Sequence, residues 1–201
     1  MNIPYIEFLF RPLRSELPDH DNLDDYIDEI IPKIAPYSED LYEEEYYTEK
    51  LWREVSDRDS NLSVVVHILK KKEDEGHDLF NASNGADYMV STDGDIIKGN
   101  WTRPDGQGSN IITLKIANKY ELYEKIFIND DFFILKKHGD KWQEGSRKKY
   151  LVLGKESHIK DLEWREVVEL LFDVYRYRIQ FILTVLVVAI IVFIALALSI
   201  Y

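Results

Sequence analysis

Residue types that commonly carry catalysis or bind metals are few and scattered in this chain. It contains no cysteine, which excludes thiol catalysis and thiolate metal sites. A serine nucleophile elbow of the form Gly-x-Ser-x-Gly is absent. The five histidines form no pair at the i, i+4 spacing with which one helix face binds a metal; they are His20, His67, His77, His138 and His158. We therefore expect a protein that is not an enzyme and that has no cofactor.

Three short segments approach a known site without completing it. The acidic stretch 19–28 lacks the glycine and the bidentate glutamate of an EF-hand loop, which favours a solvated helix start over a weak Ca²⁺ or Mg²⁺ site. Residues 106–109 lack the Gly-Lys-Ser/Thr of a phosphate-binding P-loop and lead into a strand, which indicates a hairpin turn. Asp93 and Asp95 flank a tight turn, where aspartates are typical turn formers.

The segment Gly99-Asn100-Trp101 falls in a predicted strand and resembles the Gly-x-Trp motif of lipocalin-type barrels. The resemblance covers this motif alone. It implies a barrel with a ligand-accepting mouth and with Trp101 closing one end, and it makes Trp101 a candidate ligand-site residue. The alternative is a core tryptophan beside a glycine bulge.

The formal net charge of −12 is concentrated in one segment. Residues 19–57 hold fourteen acidic and three basic side chains, a local charge of −11. Such a segment does not bind nucleic acid polymers, because affinity for phosphate backbones comes from lysine and arginine. It is instead a candidate surface for a protein partner or for self-association. The candidate partner-binding residues are Glu43, Glu44, Glu45, Asp24, Asp25 and Asp28.

Positive charge collects between residues 136 and 149. Three interpretations remain open: contact with anionic lipid headgroups, a solvated hairpin tip, or docking on the acidic segment of the same or a neighbouring chain. The basic residues concerned are Lys136, Lys137, Lys141, Arg147, Lys148 and Lys149.

Residues 1–60 are predicted to form an N-terminal arm and a pair of acidic helices. The first helix ends before Pro36, and Pro32 inside it should kink or shorten it. The second begins at Ser38, where the capping box is incomplete, and has an apolar face that includes Trp52.

Residues 61–157 are predicted to form a β-rich cytosolic domain. Short β-branched or aromatic segments alternate there with turns such as Asn84-Gly85 and Asp93-Gly94. This pattern indicates an antiparallel meander of about seven strands, closed as a barrel or stacked as a sandwich.

The helical pattern returns at Asp161, a plausible N-cap, and continues to the end of the chain without glycine or proline. We expect one continuous helix, with a juxtamembrane stalk at 158–178 and a transmembrane span at 179–201. The span has the length and apolar character that a bilayer requires, and a helix apolar on every face needs enclosure that this chain cannot supply. Its representative positions are Ile179, Phe181, Leu183, Val187, Ile190, Phe193, Leu196 and Tyr201.

Residues beside the span predict its topology. Arg176 and Arg178 favour the cytosolic side, and Tyr175 and Tyr177 fall at headgroup level. With no export signal at the N-terminus, we expect a single-pass, tail-anchored protein whose N-terminal domain is cytosolic, in the inner membrane if the source is bacterial.

The sequence thus predicts an α+β fold: an acidic helical segment, an antiparallel β meander, and a long C-terminal helix that becomes one transmembrane span. The first function hypothesis is a non-catalytic interaction or assembly module on a membrane. The second is a ligand-sensing membrane effector, since the layout is similar to membrane effectors of bacterial nucleotide-signalled defence systems. In those proteins a β-barrel senses a cyclic nucleotide and transmembrane helices disrupt the bilayer. A small-molecule ligand is expected only under the second hypothesis.

Overall fold

The structure is a computed structural model that describes residues 17, 19–57, 63–71, 86–104, 110–138 and 148–200. The apolar N-terminal arm falls outside these residues. Over the described part of the chain, the predicted order of elements is confirmed: a short N-terminal helix, a β domain and a long C-terminal helix.

The β domain is a closed barrel of eight antiparallel strands over the described residues, one more than the predicted seven. Each strand pairs with its neighbours in sequence, and the last strand pairs with the first. The strands are β1 Trp52–Glu54, β2 Val65–Leu69, β3 Ala86–Thr92, β4 Asp95–Thr102, β5 Ile111–Ile116, β6 Lys119–Ile128, β7 Phe132–Lys137 and β8 Tyr150–Lys155. Closure leaves no free sheet edge of the kind that open sheets must protect.

A tight two-residue turn joins strands β3 and β4. Asp93 and Gly94 join β3 to β4 with φ values of 52° and 97°, which is the pattern of a two-residue type I′ hairpin. The Asp93 carboxylate also accepts a hydrogen bond from the Val64 backbone N–H at 2.8 Å. Asp93 is therefore a turn former, as its spacing predicts.

Aromatic side chains close one end of the barrel. Tyr47 stacks on Phe133 with ring centroids 5.3 Å apart, and it meets the edge of Trp101 at 5.7 Å. The indole N–H of Trp52 donates to the Tyr47 carbonyl at 2.9 Å. Tyr47, Trp52 and Phe133 have no exposed surface. We call this the closed end.

The predicted second helix is wrong. Within the chain from Ser38 to Trp52, only Glu44–Tyr46 forms a short 3-10 turn, and Trp52 belongs to strand β1. The apolar side chains of this segment pack across the closed end instead of lining one helix face, and Glu49 adopts a φ of 57° that no helix allows. Packing inside the barrel outweighs the weak helical preference of an incompletely capped segment.

Three helices lie outside the barrel within the described residues: α1 Leu23–Ile34, α2 Glu156–Ile159 and α3 Trp164–Ile200. Asn22 caps helix α1, since its side chain accepts the Asp25 backbone N–H, and the helix continues past Pro32 to its end. A second hydrophobic core packs α1 and the start of α3 against the outer face of the barrel. Its buried members from α1 and α3 are Leu23, Tyr26, Ile27, Ile30, Ile34, Val167, Val168, Leu171 and Phe172, and α2 adds Ile159.

Helix α3 is continuous over 37 residues, which corresponds to about 55 Å at 1.5 Å per residue. It begins at Trp164 rather than at Asp161. Glu166 explains the difference, because its carboxylate accepts the Glu163 backbone N–H at 2.8 Å and completes a capping interaction at that point.

The distal part of α3 has the properties of a membrane span. Within the helix from Trp164 to Leu198, the most apolar 18-residue window has a mean hydropathy of 3.3, and none of that window is buried in the protein. Phe181 is 67% exposed and Phe193 is 74% exposed. Of the part of the chain described, this is the one helix long and apolar enough to cross a bilayer. The architecture fits a membrane-anchored protein.

Contacts between helices fix the direction in which α3 leaves the barrel. Helix α1 starts beside strand β8, where Asp24 accepts the Lys149 backbone N–H. It leads into Ser38, which donates to the Ile128 carbonyl near the closed end. Helix α3 runs parallel to α1, since its Trp164 contacts Tyr26 early in α1 and its later turns lie beside the end of α1. The span therefore departs toward the closed end.

Candidate functional site

The end of the barrel opposite the aromatic closure contains a cavity of about 290 Å³, which we call the mouth. Alternation along the strands points one side chain in two toward it, so Lys119, Glu121 and Tyr123 of β6 share its wall. Its apolar wall comes from Leu114, Ile116 and Leu151. The remaining lining residues are Glu54, His67, Tyr88, Lys137, Lys148 and Tyr150.

Four side chains form the first polar cluster of the mouth. The His67 ring is bonded through Nδ1 to the Tyr88 hydroxyl at 2.6 Å and through Nε2 to Glu54 at 3.2 Å. Lys148 Nζ donates to the other Glu54 oxygen at 2.6 Å. Burial pushes the Glu54 pKa upward, but the His67 hydrogen bond and the Lys148 charge hold that pKa at about 2. Glu54 is therefore a carboxylate at any physiological pH.

This cluster holds His67 in place rather than presenting it as a general base. A general base needs a ring nitrogen within reach of the proton that it removes. Both ring nitrogens of His67 are already bonded within the protein, and the residue is buried. Burial also raises the pKa of the Tyr88 hydroxyl, which keeps it protonated.

The second polar cluster surrounds Glu121. Lys119 and Lys137 each place Nζ 2.8 Å from the same Glu121 oxygen, and the Tyr123 hydroxyl donates to the other oxygen at 2.6 Å. Burial raises the Glu121 pKa, but these donors outweigh it and hold the pKa at about 2. Burial also raises the pKa of Tyr123. The mouth therefore contains two ionised carboxylates, each fixed by lysine and by one further side chain, His67 for Glu54 and Tyr123 for Glu121.

Sequence reasoning missed most of the mouth. Among its polar residues only Lys137 and Lys148 were predicted as contact residues, and they were assigned to lipid or to an acidic surface. The available signal was the alternation of Lys119, Glu121 and Tyr123 within one strand, which places three polar groups on one face.

The basic segment is divided between the mouth and the outer face. Lys149 Nζ lies 2.5 Å from Asp28 on helix α1, whereas Lys136 is exposed. The contact of Lys149 matches the interpretation in which acidic and basic segments of the same chain dock on each other. Two members of the predicted set, Lys141 and Arg147, lie outside the described residues.

Two predicted partner-binding residues are used within the chain to hold α1 on the barrel. Asp24 accepts the backbone N–H groups of Lys149 and Tyr150 at 2.9 and 3.2 Å. Asp28 accepts the Tyr150 hydroxyl at 2.6 Å. Burial raises the Asp24 pKa. For Asp28, burial acts to raise the pKa, but the hydrogen bonds from Lys149 and Tyr150 and the charge of Lys149 together outweigh burial and lower the pKa.

The other predicted acidic contacts are distributed unevenly. Asp25 is exposed in the first turn of α1. Glu44 is paired with Arg103, and both side chains are largely shielded from solvent. Glu43 and Glu45 are exposed on the segment that crosses the closed end. Desolvation, then the charges of Glu45 and Asp40, raise the Glu43 pKa.

Residues predicted to anchor the membrane end of α3 differ in their surroundings. Tyr175 stacks on Phe172 at 5.5 Å, whereas Tyr177 is 68% exposed. Arg176 is paired with Glu169 at 2.6 Å and with Asp173 at 2.9 Å. Further along, the side chains of Phe181, Val187, Ile190, Phe193 and Leu196 are exposed, and Leu183 is partly exposed. The side chains of Arg178 and Ile179 and the whole of Tyr201 lie outside the described part.

Trp101 does not line the mouth. It is buried at the closed end, where its indole N–H donates to the Lys70 carbonyl at 2.9 Å. Its position matches the implication that this tryptophan closes one end of a barrel, but not its assignment as a ligand-site residue. Its neighbour Tyr47 separates it from solvent, because the segment from Ser38 to Trp52 crosses that end.

A buried lysine fixes the same crossing segment. Lys125 has no exposed surface, donates from Nζ to the Leu41 carbonyl, and lies 5.0 Å from the Tyr47 ring centroid. Burial lowers its pKa from 10.5 to about 8. Lys125 lies outside the residues that line the mouth, and its role is to hold the closure in place.

The Lys125 pKa predicts a pH dependence of stability. Between pH 8 and 10.5 the folded chain releases the Lys125 proton while the unfolded chain keeps it, so the contribution of Lys125 to the free energy of unfolding should rise with pH in that window. We expect a rise of about 1–3 kcal/mol, and Lys125→Met should remove it. Denaturant unfolding across this window measures the difference between the two chains. An equal rise in both would contradict the assignment, and exposed Lys98→Met is the control.

Over the described residues, no group of three or more histidine, aspartate or glutamate side chains is placed to hold a metal ion. No protein-family model matches the chain, and no curated protein or solved structure matches it.

Proposed function

We propose that this chain is a membrane-anchored receptor whose barrel binds a small molecule in its mouth without transforming it. The observation that carries the proposal is the cavity itself. Small-molecule sites are concave, mostly apolar pockets with a few converging polar groups of perturbed pKa. The mouth combines the apolar side chains of Leu114, Ile116 and Leu151 with the two clusters around Glu54 and Glu121.

The polar groups of the mouth are pre-organised. Each carboxylate oxygen of Glu54 and Glu121 already accepts a hydrogen bond, and the His67 ring is held at both nitrogens. Fixed groups bind with a smaller entropic cost than groups that must be ordered by the ligand. Among the described lining residues, both ring nitrogens of His67 and every carboxylate oxygen of Glu54 and Glu121 are already bonded within the protein, which favours binding over catalysis.

The orientation of the barrel supports access from water. The span leaves toward the closed end, so a mouth at the opposite end opens away from the bilayer. We assign this side to the cytosol, because Arg176 and Arg178 directly precede the span.

A short segment links the mouth to the membrane helix. Lys148 lies in the mouth, and the next residues, Lys149 and Tyr150, bind Asp24 and Asp28 of helix α1. Helix α1 in turn packs along α3. A ligand that moves Lys148 therefore displaces the contacts that hold α1, which gives the receptor a route to the span.

The test is a thermal-shift screen of neutral, cationic and anionic small molecules on the full chain in nanodiscs. At least one class should raise the unfolding temperature. Ile116→Trp fills the mouth and should abolish that shift, whereas Ile96→Trp, at a position 65% exposed on strand β4, should leave it intact. A shift that survives Ile116→Trp, or no shift with any class, contradicts the proposal.

The second candidate is a non-catalytic interaction or assembly module. It is favoured by Glu43 and Glu45, two neighbouring exposed carboxylates whose mutual repulsion a basic partner surface would relieve. The absence of any small-molecule shift, together with a retained protein partner, would favour this candidate.

A further inference from the structure

The described lining of the mouth contains more positive than negative charge. Lys119, Lys137 and Lys148 face the two carboxylates of Glu54 and Glu121. Both carboxylates are ionised, and the two tyrosine hydroxyls bonded within the clusters are neutral. The three lysines and two carboxylates of the lining therefore leave an excess of one positive charge.

The hydrogen-bond donors and acceptors of the mouth also favour a negatively charged ligand. Each carboxylate oxygen already accepts from a lysine, from His67 or from Tyr123. Each ammonium group has three N–H donors. Lys119 Nζ has one pairing with Glu121, and its side chain is 71% exposed at the rim. A cationic ligand would have to compete with the lysines already paired with both carboxylates, whereas an anionic ligand would meet the exposed ammonium group of Lys119.

The volume and the apolar wall of the mouth limit the size and the character of the uncharged part of the ligand. A cavity of about 150 Å³ holds one benzene molecule, and the mouth measures about 290 Å³. Leu114, Ile116 and Leu151 supply an apolar surface beside the rings of Tyr88 and Tyr123. The space therefore suits one ring and one charged headgroup.

We propose that the mouth binds a small anion that consists of a carboxylate or phosphate headgroup and a single apolar or aromatic ring. This inference rests on the proposed receptor function. The headgroup lies at Lys119, Lys137 and Lys148, and the ring lies against the leucine and isoleucine side chains. Anionic headgroups form the strongest hydrogen bonds with such donors, because both partners are charged.

Four probes that share one ring test the headgroup: benzoate, phenyl phosphate, benzyl alcohol and benzylammonium. Isothermal titration uses the full chain in nanodiscs of neutral lipid, with empty nanodiscs as the blank. We expect at least one of the two anions to bind about tenfold or more tightly than both other probes. The two anions separate a carboxylate ligand from a phosphate ligand. Anion affinity should also fall as salt rises.

Two lysine variants locate the headgroup. Lys148→Gln and Lys119→Gln should each weaken anion binding about tenfold, and exposed Lys98→Gln should leave it unchanged. The unfolding temperature of each variant confirms that it folds, and rim residue Lys119 keeps the test informative if Lys148→Gln does not fold.

The outcomes separate this inference from the receptor proposal. If benzyl alcohol or benzylammonium binds as tightly as the anions and loses binding in Ile116→Trp, the receptor stands and the anionic class is wrong. The same holds if a broader screen finds only neutral or cationic ligands. If no molecule of any charge binds, the receptor proposal fails, and this inference fails with it.

Discussion

Two arginines in the middle of the span, Val187→Arg with Ile190→Arg, should release the full chain from membranes. At the centre of a transmembrane helix each arginine adds about 2.5–3.5 kcal/mol to the free energy of insertion, and the replaced residues lose their small favourable contribution. The pair therefore costs about 5–7 kcal/mol, which offsets most or all of the favourable insertion free energy of the apolar side chains in the span. Flotation on a density gradient should move the chain from the lipid fraction to the dense fractions.

The physical reason is the exposure of this part of α3. Val187 is 48% exposed and Ile190 is 50% exposed, and no described side chain covers the surrounding surface. Soluble monomers rarely expose a contiguous apolar patch of this extent to water. Tyr177→Arg, at a position 68% exposed before the span, is the matched control and should still float. Flotation of the double variant at the wild-type level would contradict the membrane span.

Gly99→Ala should lower the stability of the barrel by about 3 kcal/mol, because an added methyl group overpacks a closely approached strand pair. A Cβ on Gly99 would lie 1.9 Å from the Lys115 carbonyl oxygen and 3.2 Å from Ile116 Cα. Both are backbone atoms, so β4 and β5 must separate. For a chain of this length, the loss corresponds to a fall of about 6–12 °C in the unfolding temperature.

The position of Gly99 links this stability effect to the mouth. Gly99 pairs with Tyr88 on one side and with Ile116 on the other, and both of those residues line the cavity. A glycine here lets strand β5 approach closely enough to place Ile116 in the mouth, while Trp101 two residues later fills the closed end.

Gly94→Ala is the control for the Gly99 prediction. Gly94 has a φ of 97° but nothing within 4 Å of an added Cβ, so its replacement costs only backbone strain of about 1–2 kcal/mol. Scanning calorimetry of both variants in nanodiscs compares the two effects. A smaller loss at Gly99 than at Gly94 would show that the strands do not approach as closely as described.

The sequence predicts the strand meander and the long C-terminal helix because both depend on local patterns. A few consecutive residues are enough to predict a turn at Asp93-Gly94 and a membrane helix in the uncharged stretch from Ile179. The segment around Trp52 was misassigned for the opposite reason. Its apolar residues fit a helical face, and only its pairing with β2 and with the distant strand β8 makes it a strand.

The mouth was not predictable from short-range spacing. Lys148 and Glu54 are 94 positions apart, and they meet only because the barrel closes. The strand around His67 is apolar at nearly every position in sequence, so the sequence does not reveal which way the histidine points. The charged residues of β6 alternate, but alternation alone does not distinguish the inside from the outside.

The most direct test of the receptor account is the stoichiometry of ligand binding to the full chain in nanodiscs, measured by isothermal titration with the tightest molecule from the screen. The account predicts one site per chain in the wild type and in Ile96→Trp, and no measurable heat of binding in Ile116→Trp. Equal binding by all three chains would place the ligand outside the mouth and contradict the account.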